Sequence, residues 1–439
     1  MKAMAGGWGL VLVLTAATTA SAGSLLKWPA TDAGLKTGNV VFVHPDGTSV
    51  AHWGAARIRW VGPDGMLNWD RLEHLAVYRS HMLDRLGATS HGGGTIHAYG
   101  VKGPVDSYGM FGQEAPRSLS GQPFSVMTEA LRAGKAVGII NSGHLNEPGT
   151  GCYLASVHSR GESEEIVRQI MASGAQVIMA GGEDWLLPTG VRGRHRVEGK
   201  RKDGRNLIAE AKAQGYVVVF NRAELLAITG IPERVLGVFA SGHTFNDNTE
   251  EWLQVAKLPL YGEDAPTLAE MTGVALRVLE RSPNGFFLVV EEEGTDNFSN
   301  KANSSGMLES LRRADEALGI VRTYRQSHPD TLLMIAADSD ASGPQLVAVD
   351  SPEYPLPAAT DFGAQLDGAA GTASRPFVSA PDENGRVFPF GIVWSTGDDT
   401  SGGILLRAEG PNATLLDSGC ADNTDVYRLI YATLFGKRL

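Results

Sequence analysis

The sequence predicts an α/β protein built as a three-layer sandwich, with a large, mostly parallel central sheet flanked by helices on both faces. Strand-like apolar runs alternate with helix-like segments along most of the chain, the order that produces parallel strands joined by crossover helices. A mostly parallel sheet of this kind is covered on both sides, so its strands are expected to be buried throughout. With 439 residues, 43% of them hydrophobic and 20% charged, the chain has the length and composition for one large core.

Taken in order, the predicted strands are Asn39–Val43, Ala136–Ile140, Gln176–Met179, Tyr216–Phe220, Val235–Phe239, Gly285–Val290 and Thr331–Ala336. The predicted helices begin with Ser125–Ala133, which Gly134 stops, and Ser163–Ser173, whose acidic start at Glu162, Glu164 and Glu165 suits the positive end of a helix. Thr267–Arg281, Ser304–Leu318 and Thr424–Phe435 follow. Between residues 352 and 389 Pro, Gly, Ala and Asp dominate and periodicity fades, so this stretch is expected to leave the core as an irregular insertion, a lid or a subunit contact. No linker divides residues 23–439, which are expected to form a single domain.

Residues 1–22 read as a signal peptide. Lys2 precedes the apolar run Leu10–Leu14, and Ala20-Ser21-Ala22 supplies small residues in a cleavage pattern. The run is shorter than the roughly 20 apolar residues that a membrane span needs. The mature protein is therefore expected outside the cytoplasm, periplasmic or extracellular, and unattached to membrane. Cys152 and Cys420 are the only cysteines; a disulfide framework is excluded, and whether these two pair is open. A formal charge of −11 argues against nucleic acid as a partner.

The residues that carry chemistry stand at strand ends. Val40–Val43 runs into His44-Pro45-Asp46-Gly47-Thr48, Phe286–Val290 into Glu291-Glu292-Glu293-Gly294-Thr295-Asp296, and Leu332–Ala337 into Asp338-Ser339-Asp340. In open α/β sheets ligands bind beyond the carboxyl ends of strands. Several buried strands that each deliver carboxylates to one edge would crowd like charges together, and divalent cations are the economical way to neutralise them. The other signal is Thr89-Ser90-His91-Gly92-Gly93-Gly94-Thr95, where a hydroxyl and glycines at a helix start form a cradle for an anion. Taken alone, Asp46 could cap a turn and Ser90 could cap a helix; their combination makes Ser90 the candidate nucleophile.

These motifs resemble, in order and over nearly the whole mature chain, those of the alkaline phosphatase family. Asp46 matches the family's strand-Asp-Gly metal motif, and Ser90 with Thr95 and Gly100-Val101-Lys102 matches its nucleophile segment. Lys135–Ile140 is similar to the strand before its metal-binding threonine, which places that residue at Thr150 with Glu147 nearby; Ser159-Arg160 is similar to its phosphate-clamping arginine. Glu291, Asp296 and Asp338 match further metal ligands, and Ser395–Asp399, Gly410–Ala413 and Asp422–Leu429 resemble the C-terminal motifs.

The chain departs from the zinc-type pattern at three positions. Asn300, Ser339 and Ser395 stand where such members carry histidines, and Thr89 stands where an aspartate often precedes the nucleophile. Oxygen ligands in place of imidazole suit Mg²⁺, Ca²⁺ or Mn²⁺ better than Zn²⁺. Of the other histidines, His44, His91 and His97 flank the expected catalytic residues.

The resemblance thus implies a phosphomonoesterase using divalent metals, Mg²⁺ foremost, with Ser90 and Arg160 catalytic and substrate-binding. Its metal ligands would be Asp46, Thr150, Glu291, Asp296, Asn300, Asp338, Ser339 and Ser395. Its substrate would be a small phosphate ester, and a homodimer is left open. Two alternatives stand beside it: a phosphate-binding pseudoenzyme of the same fold, and a phosphodiesterase- or sulfatase-type relative.

Overall fold

The computed structural model describes residues 23–439, so the leader expected over 1–22 lies outside the described residues. The central sheet is assembled from β1 (Asn39–Pro45), β2 (His74–Arg79), β3 (Ala136–His144), β4 (Val177–Gly181), β5 (Val217–Val219), β6 (Val235–Val238), β7 (Phe286–Glu292) and β8 (Thr331–Ile335), together with Ile404–Glu409 and Cys420–Asp422. Across its 10 strands the order places β8, β1, β7 and β3 side by side at the centre. The pairs β8–β1, β1–β7, β7–β3, β3–β4, β4–β6 and β6–β5 are all parallel. Only Ile404–Glu409 runs antiparallel, between β2 and β8. The expected α/β sandwich with a mostly parallel sheet is the fold observed.

Every residue of β1, β3, β7 and β8 is buried. Because successive strand side chains point to opposite faces, each strand feeds two separate cores. Val40, Phe42, Phe287, Val289, Leu332 and Met334 pack on one face with residues of the helices Val126–Arg132, Ser163–Ala172 and Thr424–Phe435. Val41, Val43, Leu288, Val290, Leu333 and Ile335 pack on the other with residues of α1 (Val50–Trp60) and the helices Leu268–Leu279 and Ser304–Arg325. The same alternation sorts the polar residues at the strand ends.

All seven predicted strands and all five predicted helices are present, with small shifts at their ends. The largest difference is the helix from Ser304, which continues beyond Leu318 to Arg325. Gly319 does not stop it; a Cβ there would lie 2.9 Å from Asn68 Nδ2, so the glycine makes room for a neighbouring loop. Residues 352–389 contribute the short strands Gln365–Gly368, Gly371–Thr372 and Phe377–Val378. With Pro344–Ala348 and Pro389–Trp394 these form a second, antiparallel sheet of five strands. No helix among the described residues is long and apolar enough to cross a membrane. Cys152 and Cys420 are both free.

Candidate metal centre and active site

Register builds the centre. Parallel pairing sets His44 of β1 opposite Glu291 of β7, and Glu291 opposite Asn141 of β3, so three polar side chains stand abreast at the carboxyl edge. They share the face of Phe42 and Val289, the one that α2 (Ser90–Tyr99) covers. Glu292, one residue on, faces the other way. It accepts hydrogen bonds from Ser142 Oγ at 2.5 Å and Tyr261 Oη at 2.7 Å and belongs to the opposite layer.

Asp46 follows β1 by one residue. Its backbone N–H donates to Glu292 O at 3.1 Å, and its carbonyl accepts from Thr295 Oγ1 at 2.6 Å. Gly47 then turns with φ +62, and a Cβ there would come 2.6 Å from Asp296 Oδ1. Glycine is required twice over, for the positive φ and for the approach of Asp296. Asp46, Glu293 and Asp296 offer oxygens that all lie within 4.8 Å of one another, as do ligand atoms of His44, Asp46 and Glu291. Beyond β8, Asp338 is buried and lies 4.0 Å from His44 Nε2 through Oδ1.

Helix α2 brings Ser90 to these carboxylates. Thr89 caps it, accepting from Gly92 N at 3.4 Å. Gly93 lets it settle on Asp338, since a Cβ there would overlap the aspartate and sit 2.9 Å from Oδ2. Ser90 occupies the first helical position, at the positive end of the helix, where its hydroxyl helps hold Asp46 ionised. Arg160, with 46% of its side chain exposed, stands at the rim and donates to Glu147 Oε2 at 2.8 Å. Glu147 thereby orients the arginine.

Many of these oxygens lack partners. Both carboxylate oxygens of Asp46, one each of Glu291, Glu293 and Asp338, and the Ser339 hydroxyl are buried with no hydrogen-bond partner among the described residues. Ionised carboxylates in that state cost several kcal/mol each unless a cation or proton compensates. Without cations, protons take that part. Burial, reinforced by neighbouring carboxylates, raises Asp296, Glu293 and Asp338 well above the usual carboxylate range and pushes Glu291 up to about 8. Burial also opposes ionisation of Asp46, but His44, Asp338 and Ser90 outweigh it and hold the group below that range. For His44 burial works against the proton, yet Asp46, Asp338 and Glu291 lift the ring to about 10. The donor set, the orphaned oxygens and the close glycines fit divalent cations.

The structure brings Asp46, Ser90, Thr150, Glu291, Asp296, Asp338 and Ser339 to this edge and leaves two expected ligands in other roles. Thr150 is buried beside Glu291, both accepting from the Asn141 amide. Asn300 turns its amide nitrogen to Asp296, donating at 3.1 Å to each carboxylate oxygen, while its own oxygen accepts from Ser342 Oγ at 2.8 Å. It acts as a hydrogen-bond donor to the carboxylate and presents no oxygen to a cation. Ser395 is exposed and its hydroxyl donates to Gly343 O at 2.6 Å; Asp399, four residues on, is the group that meets Asp296. Asp340 turns to Thr400, which donates to it at 3.1 Å, and to His52 at 3.6 Å.

Sequence reasoning missed Glu293 and Asp399 as members of the centre and left His44 as one of three flanking histidines. The first two lay inside runs already singled out, and His44 precedes Asp46 by two residues, which is the spacing of one strand face.

Fold and site together define an α/β protein with an acidic, cation-type centre and a buried serine at a helix start, at the carboxyl edge of its sheet. The family model "Alkaline phosphatase" matches residues 37–353, and the chain belongs to that family. Alkaline phosphatase H of Pseudomonas aeruginosa is 24% identical over an alignment of 410 positions that covers 85% of this chain and 78% of that protein. An alkaline phosphatase of Gadus morhua is 24% identical over an alignment of 457 positions that covers 92% of this chain and 93% of that one. Among solved structures, Thermus thermophilus alkaline phosphatase superposes with a TM-score of 0.73 at 21% identity, covering 93% of each chain. The enzyme of the Antarctic bacterium TAB5 does so at 0.69 with 16% identity, over 92% of this chain and 100% of the other. Membership supports a phosphatase-type hydrolase that depends on divalent metal.

Proposed function

We propose that the protein is an exported, metal-dependent phosphomonoesterase that hydrolyses small phosphate esters through a phosphoserine on Ser90. The observation that carries this reading is the set of buried, partnerless oxygens on Asp46, Glu291, Glu293 and Asp338 facing one serine at a helix start. Asp46, Asp338 and Ser339 would hold one cation, Asp296 with Asp399 a second, and Asp46, Thr150 and Glu291 a third. A mutant of the TAB5 enzyme has been solved with Mg bound in its M3 site, which supports Mg²⁺ for one of the three. Bound there, divalent cations supply charge neutralisation and a lowered pKa for the oxygens they touch.

The chain's own residues do the rest. Arg160, held by Glu147, grips two nonbridging oxygens of the substrate in its planar fork. The N-terminus of α2 favours the phosphoryl charge. Ser90 gives up its proton to solvent and its Oγ bonds to phosphorus as the bond to the leaving oxygen breaks, the alcohol departing with a proton from solvent. Water then attacks phosphorus from the side vacated, and the Oγ–P bond breaks to free Ser90 and phosphate.

The test is hydrolysis of an aryl phosphate by chelated protein resupplied with Mg²⁺, Ca²⁺, Mn²⁺ or Zn²⁺, singly and in pairs. Native protein should turn over, and Ser90→Ala should lose at least about 10³-fold in kcat while still binding phosphate in titration calorimetry. Phosphate binding without Ser90-dependent turnover under any cation would mark a binding protein instead.

A further inference from the structure

We propose that His44 is a metal ligand, so that the cation beside Glu291 is held by a mixed set of His44 Nε2, Asp46 and Glu291 rather than by oxygen alone. The proposal rests on the reading of these carboxylates as a cation centre and changes which cation it selects.

Four observations point there. The His44 ring is fully buried, and its Nδ1 faces Ala336 O at 3.0 Å. A carbonyl can only accept, so Nδ1 carries a hydrogen whatever the charge of the ring, and Nε2 is aimed into the carboxylates, where a cation would take the place of its proton. Histidines that bind metals are oriented in this way, by donating the other ring N–H to a carbonyl or carboxylate. Second, Nε2 has no hydrogen-bond partner among the described residues, and neither does either oxygen of Asp46 or Oε1 of Glu291. Third, spacing suits coordination: Nε2 is 3.5 Å from Asp46 Oδ1. A tetrahedral centre with bonds of about 2.0 Å has ligand-to-ligand edges of about 3.3 Å. Fourth, the space is made by Gly149. A Cβ at that position would overlap Glu291 Oε1 and stand 2.5 Å from His44 Cδ2. The ring and the carboxylate occupy the volume that any larger residue would fill.

The chemistry that follows is a change of preference. Mg²⁺ takes oxygen ligands and keeps its waters, whereas imidazole suits Zn²⁺, Co²⁺ and related cations. The chain lacks imidazole at Asn300, Ser339 and Ser395 but supplies one from β1. A nitrogen-accepting cation is thereby directed to the position next to Glu291, where the resemblance implies oxygen ligands alone.

The experiment is proton NMR of the full chain, stripped with chelator, loaded with Co²⁺ and compared with His44→Asn and His44→Gln. A Co²⁺-bound imidazole gives a contact-shifted, exchangeable N–H resonance far downfield; here it would come from Nδ1–H, sheltered by Ala336. Native protein should show such a resonance, lost in D2O and in both variants, and kept in His91→Asn and His243→Asn. Selective ¹⁵N-histidine labelling of the native protein identifies the resonance as imidazole even if a variant fails to fold. The Kd for Zn²⁺ should rise by at least about tenfold in His44→Asn, with Mg²⁺ affinity little changed.

Co²⁺ binding with no His44-dependent resonance overturns the proposal and leaves the carboxylate centre standing. No Co²⁺ binding overturns both. A His44-dependent resonance in a protein without phosphatase turnover supports the proposal and removes only the catalytic reading.

Discussion

Stripping the protein of cations should make its stability fall as pH rises, the reverse of an ordinary acid-sensitive fold. In the metal-free state burial moves Glu291 from 4.5 to about 8. The folded chain therefore holds a proton between those values that the unfolded chain releases. Stability is fully present below pH 4.5 and is lost as pH climbs towards 8. At about 1.4 kcal/mol per unit, the loss through Glu291 alone is on the order of 5 kcal/mol, a large share of a typical total of about 5–15 kcal/mol.

His44 works in the same direction. Its neighbouring carboxylates overcome burial and raise it from 6.5 to about 10, so its contribution is present below pH 6.5 and disappears as pH passes through 10. The two groups are one coupled system, so their contributions do not add. Bound cations reverse the trend, because they require the ionised carboxylates that high pH supplies. The assay is urea unfolding of chelated and cation-saturated protein at pH 5 and pH 9. Chelated protein should show the lower midpoint at pH 9, and the gap between the two forms should widen from pH 5 to pH 9. A chelated protein equally or more stable at pH 9 would refute the account of buried, partnerless carboxylates.

Further expectations follow from single contacts. Glu291→Gln should remove one cation from the metal stoichiometry measured by mass spectrometry. Glu292→Gln, on the opposite face and bonded to Ser142 and Tyr261, should leave that stoichiometry unchanged and lower only thermal stability. Gly93→Ala drives a Cβ into Asp338 and should cost about 1–3 kcal/mol in denaturant unfolding, together with weaker metal retention. Arg160→Lys keeps the charge but loses the fork, and should lower kcat/KM by about tenfold or more, mostly through KM. Glu147→Gln, which loosens Arg160, should do the same to a smaller degree.

Local pattern was enough for the sheet. Apolar runs ending in Asp46, Glu291 and Asp338 are strands whose every residue is buried, and a strand buried on both faces needs no knowledge of its partners to be recognised. Ser90 was legible only in company: a hydroxyl followed by glycines reads equally as a flexible loop, and the carboxylate-ended strands made it the candidate; in the structure α2 begins there. The short strands of the second sheet were not legible. Gln365–Gly368 and Phe377–Val378 are too short to show a period, and they exist only because Pro389–Trp394 pairs with them.

Alone, then, the amino-acid order determined the layered α/β architecture, the delivery of carboxylates to one edge, and the serine beside them. Tertiary structure decided which of those groups meet. His44 and the carbonyl that orients it are 292 residues apart, and only the register of β1 against its neighbours joins the ring to Glu291. Asn300 became a donor and Ser395 an outward-facing hydroxyl, while Asp399 came inward to Asp296, because side-chain direction depends on the partners that packing supplies. Composition and spacing specify what a strand carries to the rim. Pairing between strands specifies which of those atoms come within reach of one another.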